Sequence, residues 1–572
     1  MSDERHHTIQ DVFREDGPTA GGLRMDWKVF LACWAAAAFV ALALGRDTSW
    51  DLRNYHYYNI YALLEGRWAV DLTPARAHTF LHPGLDLPFY LLTQSYLNAW
   101  PRLVSVLQAS YAGLLAFLTI AVANLVLNGK AGRVTPATAL VACFGLSGAA
   151  TLPEIGSTYN DIQIACLVLG ALLALLLAAG ASDAHEASKA TRLRLIAGLL
   201  GGCAVGLKLT AFIFPPALAL AAIIATQGGL VLRARAVAQL SVGGALGFAI
   251  TYGPWGWFLW NRFGNPFGSF TNNIFRSPLF PFVSQRDESF LPDSLVTALA
   301  YPFIWAHRST GTVLEPTLAD PRFAVGLTAL LLVIGLAMWR RFSRPCTPPP
   351  SLEDRAAARA VRTVLAFTLA SYVIWLGNFS ILRYAIPMEV LLGIPVWAAA
   401  RELLLATKPE GGLAAATAPL RRGATLALAT ALGVSAIVTE YPAHPREPFF
   451  WEREPRGAAV LAVSPIPLPK DSLVVLLGPA VSFVAPFLDS PSVRFVGGPN
   501  PNWAGVASDP ASYAAQVLQE VRLHRGPAFV LLEDPDAYDE EAAEVLAITF
   551  ERASCRPVPN NLTKVVQLCR WR

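Results

Sequence analysis

Eleven apolar runs set the architecture of this 572-residue chain. A membrane-spanning helix needs about 17–25 predominantly apolar residues. Runs of that kind lie near 27–45, 101–127, 134–150, 159–181, 193–207, 209–226, 236–260, 321–340, 361–377, 384–404 and 422–439. The fifth and sixth share one apolar stretch, Leu195 to Thr226, broken by Lys208, so one long buried helix is the rival to two short ones. Only 15% of the residues are charged and 54% are hydrophobic, whereas a soluble domain carries about a quarter charged residues. The expected fold class is therefore mostly α, a polytopic membrane bundle of about eleven spans.

The side on which each loop lies follows from Lys and Arg near the span ends. Arg340, Arg341, Arg344, Arg355, Arg359 and Arg362 crowd one short loop, and Lys189, Arg192 and Arg194 another. Arg233 with Arg235, Arg421 with Arg422, and Lys130 with Arg133 mark three more. All five fall on one side only if Leu195–Thr226 forms two helices. These loops and the N-terminal tail, 1–26, are then expected to be cytoplasmic. The tail has no cleavage-site pattern. The segments 46–100, 151–158, 261–320 and 378–383 and the region 441–572 are expected on the outer side, with 27–440 as the membrane module.

The outer segments are too long for plain connections. Asp51–Gly66 reads as an amphipathic helix with Tyr55, Tyr58, Ala62 and Leu63 on one side. Leu81–Trp100 is apolar but interrupted by Pro83 and Pro88, the pattern of an interfacial or re-entrant segment. Trp255, Trp257 and Trp260 read as an aromatic belt. From Asp471 onward, short strands near 471–478, 493–496, 528–532 and 565–568 alternate with helical runs near 481–488, 512–525 and 540–551. That alternation predicts a small extracytoplasmic α/β domain. Gly497–Asn502 is a loop that matches no phosphate-binding glycine motif. Cys555 and Cys569 are its only cysteines, and a disulfide is the default for such a pair on the oxidising side of a membrane. Cys33, Cys143, Cys166 and Cys203 lie within spans and read as small core residues.

Charges against membrane spans are costly, so each calls for a reason. Asp51 opens the run Asp51-Leu52-Arg53-Asn54-Tyr55-His56-Tyr57-Tyr58, directly after the first span. Glu154 and Asp161 flank the second outer loop, Lys208 sits between two short helices, and Arg383 lies between the ninth and tenth. All five belong to the outer end of the bundle, where they are able to form one polar pocket. Fixed cations suit a phosphate, and a carboxylate suits an acceptor hydroxyl. Blander roles compete: Asp51 as a helix cap, Glu154 and Asp161 as solvated charges, Lys208 and Arg383 as snorkelling side chains. His56, His78 and His82 have no standard metal spacing. The net charge of +4, without a basic stripe interleaved with aromatics, gives no sign of nucleic acid.

Several short pieces, in order, resemble the GT-C superfamily of membrane glycosyltransferases, which use polyprenyl-phosphate-linked sugars. Asp51-x-x-x-Tyr55 followed by Ala62-Leu63-Leu64-Glu65-Gly66-Arg67 is similar to the first outer loop of that superfamily. Asp161 matches the acidic residue of its second outer loop, and Gly206-Leu207-Lys208 with Pro215 its lysine-containing hairpin. Gly264-Asn265-Pro266-Phe267 resembles a loop of several members, and Arg383-Tyr384 with Pro387 the pair near the lipid phosphate. The resemblance covers about 27–440.

It implies Asp51 as catalytic base, Lys208, Arg383 and Tyr384 at the donor phosphate, and Asn54, Tyr55, His56, Glu154 and Asp161 around sugar or acceptor. Asp47 competes with Asp51 for the role of base. No Asp-x-Asp motif occurs in the first two outer loops, which leaves a divalent metal open and no cofactor certain. The implied partners are a polyprenyl-phosphate-linked sugar, a glycan or lipid acceptor and membrane lipids, in a bacterial cytoplasmic membrane. The implied activity is inverting sugar transfer on the periplasmic face. The rivals are a transporter or flippase of lipid-linked sugars, a glycan polymerase or ligase using a diphosphate-linked donor, and an adhesion or assembly protein. Internal repeats would favour the transporter, and none is visible in the chain.

Overall fold

In a computed structural model the described residues are 26–129, 134–343, 352–406, 417–449, 459–478, 480–490, 492–498, 509–536, 538, 540–563 and 566–571. The tail before residue 26, Lys130, Arg133, Arg344 and the loop residues Pro499–Asn502 lie outside them.

A helix stands at each of the eleven expected positions. Among the described residues seven are long and apolar enough to cross a membrane: Trp27–Leu44, Pro101–Asn128, Asp161–Asp183, Ala187–Leu207, Leu230–Phe263, Arg322–Arg340 and Arg355–Leu376. The chain is a multi-pass membrane protein. Shorter helices, Pro136–Leu146 and Phe214–Ala225, fill two other positions, and Gly393–Ala406 and Thr417–Val438 the last two. The break at Lys208 is real: the helix ends at Leu207, Lys208 is extended (φ −146°, ψ 105°), and a 3-10 turn, Leu209–Ile213, leads into the next helix.

Small residues bring the helices into contact. A Cβ added at Gly198 would sit 1.9 Å from the Leu240 carbonyl oxygen, and one at Gly202 2.0 Å from that of Gly244. Helices Ala187–Leu207 and Leu230–Phe263 thus touch backbone to backbone, the usual source of affinity between helices in lipid. This packing fixes the end of the helix that carries Lys208.

Residues 471–570 form the expected α/β domain. Its five-stranded sheet runs Arg494–Gly497, Leu473–Leu476, Ala528–Leu532, Gln567–Arg570, Arg556–Pro557. The first three strands are parallel and the last two antiparallel. Every residue of Leu473–Leu476 is buried, as in a strand covered on both faces. The disulfide Cys555–Cys569 ties the last antiparallel pair.

This domain sits on the first long loop. Leu72 adds to the free sheet edge, donating to the Phe495 carbonyl at 2.9 Å and accepting from the Gly497 amide at 2.8 Å. A Cβ at Gly497 would meet the Thr73 carbonyl oxygen at 1.9 Å, so only glycine lets the loop pass. Arg53 pairs with Glu533, and the Ser482 hydroxyl donates to the Asn54 carbonyl. Arg46–Asp47 forms a short antiparallel ladder with Arg446–Glu447.

Three expectations change. The segment after Asp51 is not one-sidedly amphipathic: 54–60 are all buried, and Leu63 is 47% exposed. The α/β domain covers the face that would otherwise meet solvent, and a π-helical turn over Leu52–His56 alters the register. Of the tryptophans, Trp257 and Trp260 are exposed as a belt requires, whereas Trp255 is buried and donates to the Phe80 carbonyl at 3.1 Å. Of the span cysteines, Cys166 is buried but Cys143 is exposed on the apolar helix surface.

Candidate active site

The first helix ends at Leu44 and hands the chain to Asp47. Asp47 accepts from the Ser49 amide (2.9 Å) and, through Oδ2, from the Thr158 amide (2.9 Å) and hydroxyl (2.6 Å). It therefore staples the first long loop to the second. The Ser49 Oγ accepts from the Leu52 amide at 3.3 Å, and Asp51 makes no capping bond. Ser49, not Asp51, caps the start of the helix, so the capping role considered for Asp51 falls away.

Asp51 is 6% exposed and its Oδ2 lies 2.6 Å from Nη1 of Arg383. Arg383 stacks over Tyr159 and Tyr384, 5.2 and 5.5 Å from the ring centroids. Beside this pair, Lys208 Nζ is 2.6 Å from Oδ1 of Asp161 and 5.2 Å from the centre of the Tyr384 ring. The two ion pairs thus share Tyr384 as a common wall. The other Asp161 oxygen is buried without a hydrogen bond among the described residues. A narrow cleft of only ≈ 10 Å³ runs along the four side chains Asp161, Arg383, Tyr384 and Thr210, with Ile164, Phe214 and Pro387 as its apolar walls.

His56 lies on the π-helical turn. Its Nδ1 bonds Asp86, and its Nε2 is 3.9 Å from Oδ2 of Asp51, too long for a hydrogen bond but close enough for charge to act. Tyr55 stacks on His56 and on His78, with centroids 4.3 and 5.1 Å away. Glu154 is 2% exposed, and neither carboxylate oxygen has a hydrogen-bond partner among the described residues. Asn54 is buried, and among the described residues it makes no hydrogen bond or ion pair with the other candidates. The structure therefore gathers eight of the nine expected side chains and leaves Asn54 beside the α/β domain.

The charges act on one another. Burial alone would raise the Asp51 pKa, but the charges of Arg383 and His56 more than offset it and hold the carboxyl far below its usual range. Burial would lower that of His56, yet Asp86 and Asp51 push it up to about 9. Glu154 is driven well upward, first by burial and then by the Asp161 charge. The two buried carboxyls are thus pushed in opposite directions, Asp51 toward its ionised form and Glu154 toward its protonated one.

Several positions that build the site were missed from the sequence. Arg446 clamps the second loop, donating to the carbonyls of Pro153 (2.6 Å) and Ile155 (3.0 Å). Glu389 accepts from the Thr151 amide (2.9 Å) and hydroxyl (2.6 Å) and from the Ala150 amide (3.1 Å). Asp86 and Asn160, bonded at 3.0 Å, back His56. Asp86 was findable, because it is the one carboxylate inside the apolar stretch 81–100. Among the described residues no group of three or more His, Cys, Asp or Glu side chains is arranged to hold a metal ion.

No family model matches the chain, and no curated protein does. Among solved structures it is similar to ArnT from Cupriavidus metallidurans bound to undecaprenyl phosphate, at 15% identity and TM-score 0.47 over 95% of this chain and 98% of that one. The apo state of the same protein gives 14% identity and TM-score 0.48 over 95% and 97%. An oligosaccharyltransferase of Archaeoglobus fulgidus, tethered to an acceptor peptide, gives 12% and 0.39 over 95% and 74%.

Proposed function

We propose that this protein is an inverting glycosyltransferase of a bacterial cytoplasmic membrane, taking a sugar from a polyprenyl monophosphate on the periplasmic face. The observation that carries this reading is the pair of ion pairs, Arg383–Asp51 and Lys208–Asp161, meeting at one half-apolar cleft. A lipid phosphate needs cations at its head and an apolar wall along its tail, and the cleft offers both.

The phosphate enters between Lys208 and Arg383 and competes with the carboxylates for them. As Arg383 turns to the phosphate, Asp51 is freed to receive a proton. The acceptor hydroxyl attacks the anomeric carbon opposite the phosphate, and the proton passes to Asp51. The carbon–phosphate-oxygen bond breaks, and its electron pair leaves with the phosphate, whose growing charge is met by the two cations. Glu154, Asp161, Tyr55 and His56 surround sugar and acceptor; Asn54, at the α/β domain, belongs to the acceptor's approach. The acceptor is a glycan or lipid.

A transporter of lipid-linked sugars would use the same cations but has no need of a carboxylate held ionised beside them. The test is incubation of the purified protein with a short-chain polyprenyl-phosphate sugar and membrane glycolipid. Release of polyprenyl phosphate with growth of the acceptor mass supports the reading. Movement of intact donor across vesicles without cleavage supports the transporter.

A further inference from the structure

Asp86 has no part in the chemistry just described, yet it is 5% exposed and bonded on two sides. It holds Nδ1 of His56 and accepts from the Asn160 Nδ2 at 3.0 Å. His56 is 3% exposed, and its Nε2 has no hydrogen-bond partner among the described residues but faces Oδ2 of Asp51 at 3.9 Å. Two carboxylates thus flank one imidazole, and the His56 Nε2 and the Arg383 Nη1 both face the same Asp51 oxygen, Oδ2.

We propose that Asp86 is a positioning residue, which holds His56 so that its Nε2 faces Oδ2 of Asp51, the same oxygen that Arg383 engages. The inference rests on the reading of Asp51 as the base. A carboxylate on one ring nitrogen fixes the ring's orientation and favours its charged form. The imidazolium then stays beside Asp51 when Arg383 turns to the donor phosphate, so the base remains aimed while it is released. Nothing is oxidised and no bond is formed in this role.

The groups around His56 agree with a charged ring. Asp51 is on its own helix, Asp86 comes from the segment before helix Leu87–Gln94, and Asn160 from the second loop. Against them stand Arg383, which is spent on Asp51, and His78, whose pKa burial pushes down. Tyr55 stacks on the ring.

The test is Asp86→Asn, with His56→Gln as a second variant and the pair combined. Transfer by wild type is measured from pH 6 to pH 10 beside the titration of histidine-labelled protein by NMR. The expected result is a wild-type His56 titrating at high pH, which drops by at least about one unit in Asp86→Asn. Activity of that variant should be near wild type at pH 6, about two-fold down at pH 8 and close to ten-fold down at pH 10, where the population change that one unit carries is fully expressed. In the His56→Gln background, Asp86→Asn should add little, because the two act as one unit. An unchanged His56 titration, or a loss equal at all pH values, overturns the inference while wild-type transfer keeps the functional reading. If wild type transfers nothing, that reading falls and the role of Asp86 falls with it.

Discussion

Arg383 holds the Asp51 carboxylate at 2.6 Å, joining residues 332 positions apart in the chain. Lys208 makes the equivalent contact to Asp161 from the neighbouring hairpin. Each cation therefore has a carboxylate to leave before it can serve a phosphate, and removing the cation should weaken donor binding.

Replacing Arg383 or Lys208 by Met keeps much of the bulk and removes the charge. A hydrogen bond to a charged group is worth about 1.5–3 kcal/mol, so donor affinity should fall roughly 10-fold to 100-fold per site. Titration of a fluorescent short-chain polyprenyl phosphate measures this. Unchanged affinity in both variants would leave the two residues as partners of Asp51 and Asp161 alone.

The His56 pKa, raised to about 9 in the folded protein, has a consequence for stability. A raised pKa contributes stability that is fully present below the unfolded value, about 6.5, and is lost as pH rises through the folded one. Thermal stability of wild type should therefore decline between about pH 6.5 and 9. In His56→Gln that decline should flatten. A wild-type profile that is flat over this window would contradict a charged His56.

The disulfide Cys555–Cys569 closes a short loop at the sheet's far edge. Such a bridge contributes about 2–4 kcal/mol. Reductant should lower the unfolding temperature of the α/β domain and leave the helical transition in place, as followed by calorimetry. Free thiols at both positions in oxidised protein would refute the staple.

Loop sidedness has a direct readout. Ser188 lies among Lys189, Arg192 and Arg194, and Thr310 lies in the long loop 261–320. In a background without the span cysteines, Thr310→Cys should react with an impermeant thiol reagent in intact spheroplasts, and Ser188→Cys should not. Equal labelling would contradict a periplasmic site.

Much of this site was legible in the sequence because charge beside an apolar run is conspicuous. Asp51, Asp161, Lys208 and Arg383 were all singled out on that ground, and the structure brings them together. Which carboxylate meets which cation was not legible, since the Asp51–Arg383 pair depends on how the first loop and the ninth connection fold against each other. The hydrogen bonds from Thr158 and Ser49 that occupy Asp47 were not legible either, since they join two separate loops. The π-helical turn that carries His56 leaves no mark in residue periodicity, so the helix was read as one-sided. Asp86 was lost within an apolar run read as interfacial. The α/β domain was nearly complete from strand and helix alternation, but not its seat on Leu72, because a single added bridge has no sequence pattern.

The assignment of Asp51 as base is the centre of the account, and paired amide variants test it. Asp51→Asn keeps shape and makes no change to a helix cap, because Ser49 provides that cap. It cannot take the acceptor's proton. Transfer from a short-chain polyprenyl-phosphate sugar by the purified variant should fall by about 10²–10⁴-fold. Asp47→Asn weakens the staple to Thr158, so it should lose thermal stability and keep most of the turnover of the molecules that remain folded. The predicted result, scored per folded molecule, is a nearly inactive Asp51→Asn beside an active Asp47→Asn. An Asp51→Asn protein that transfers sugar at the wild-type rate would contradict the account.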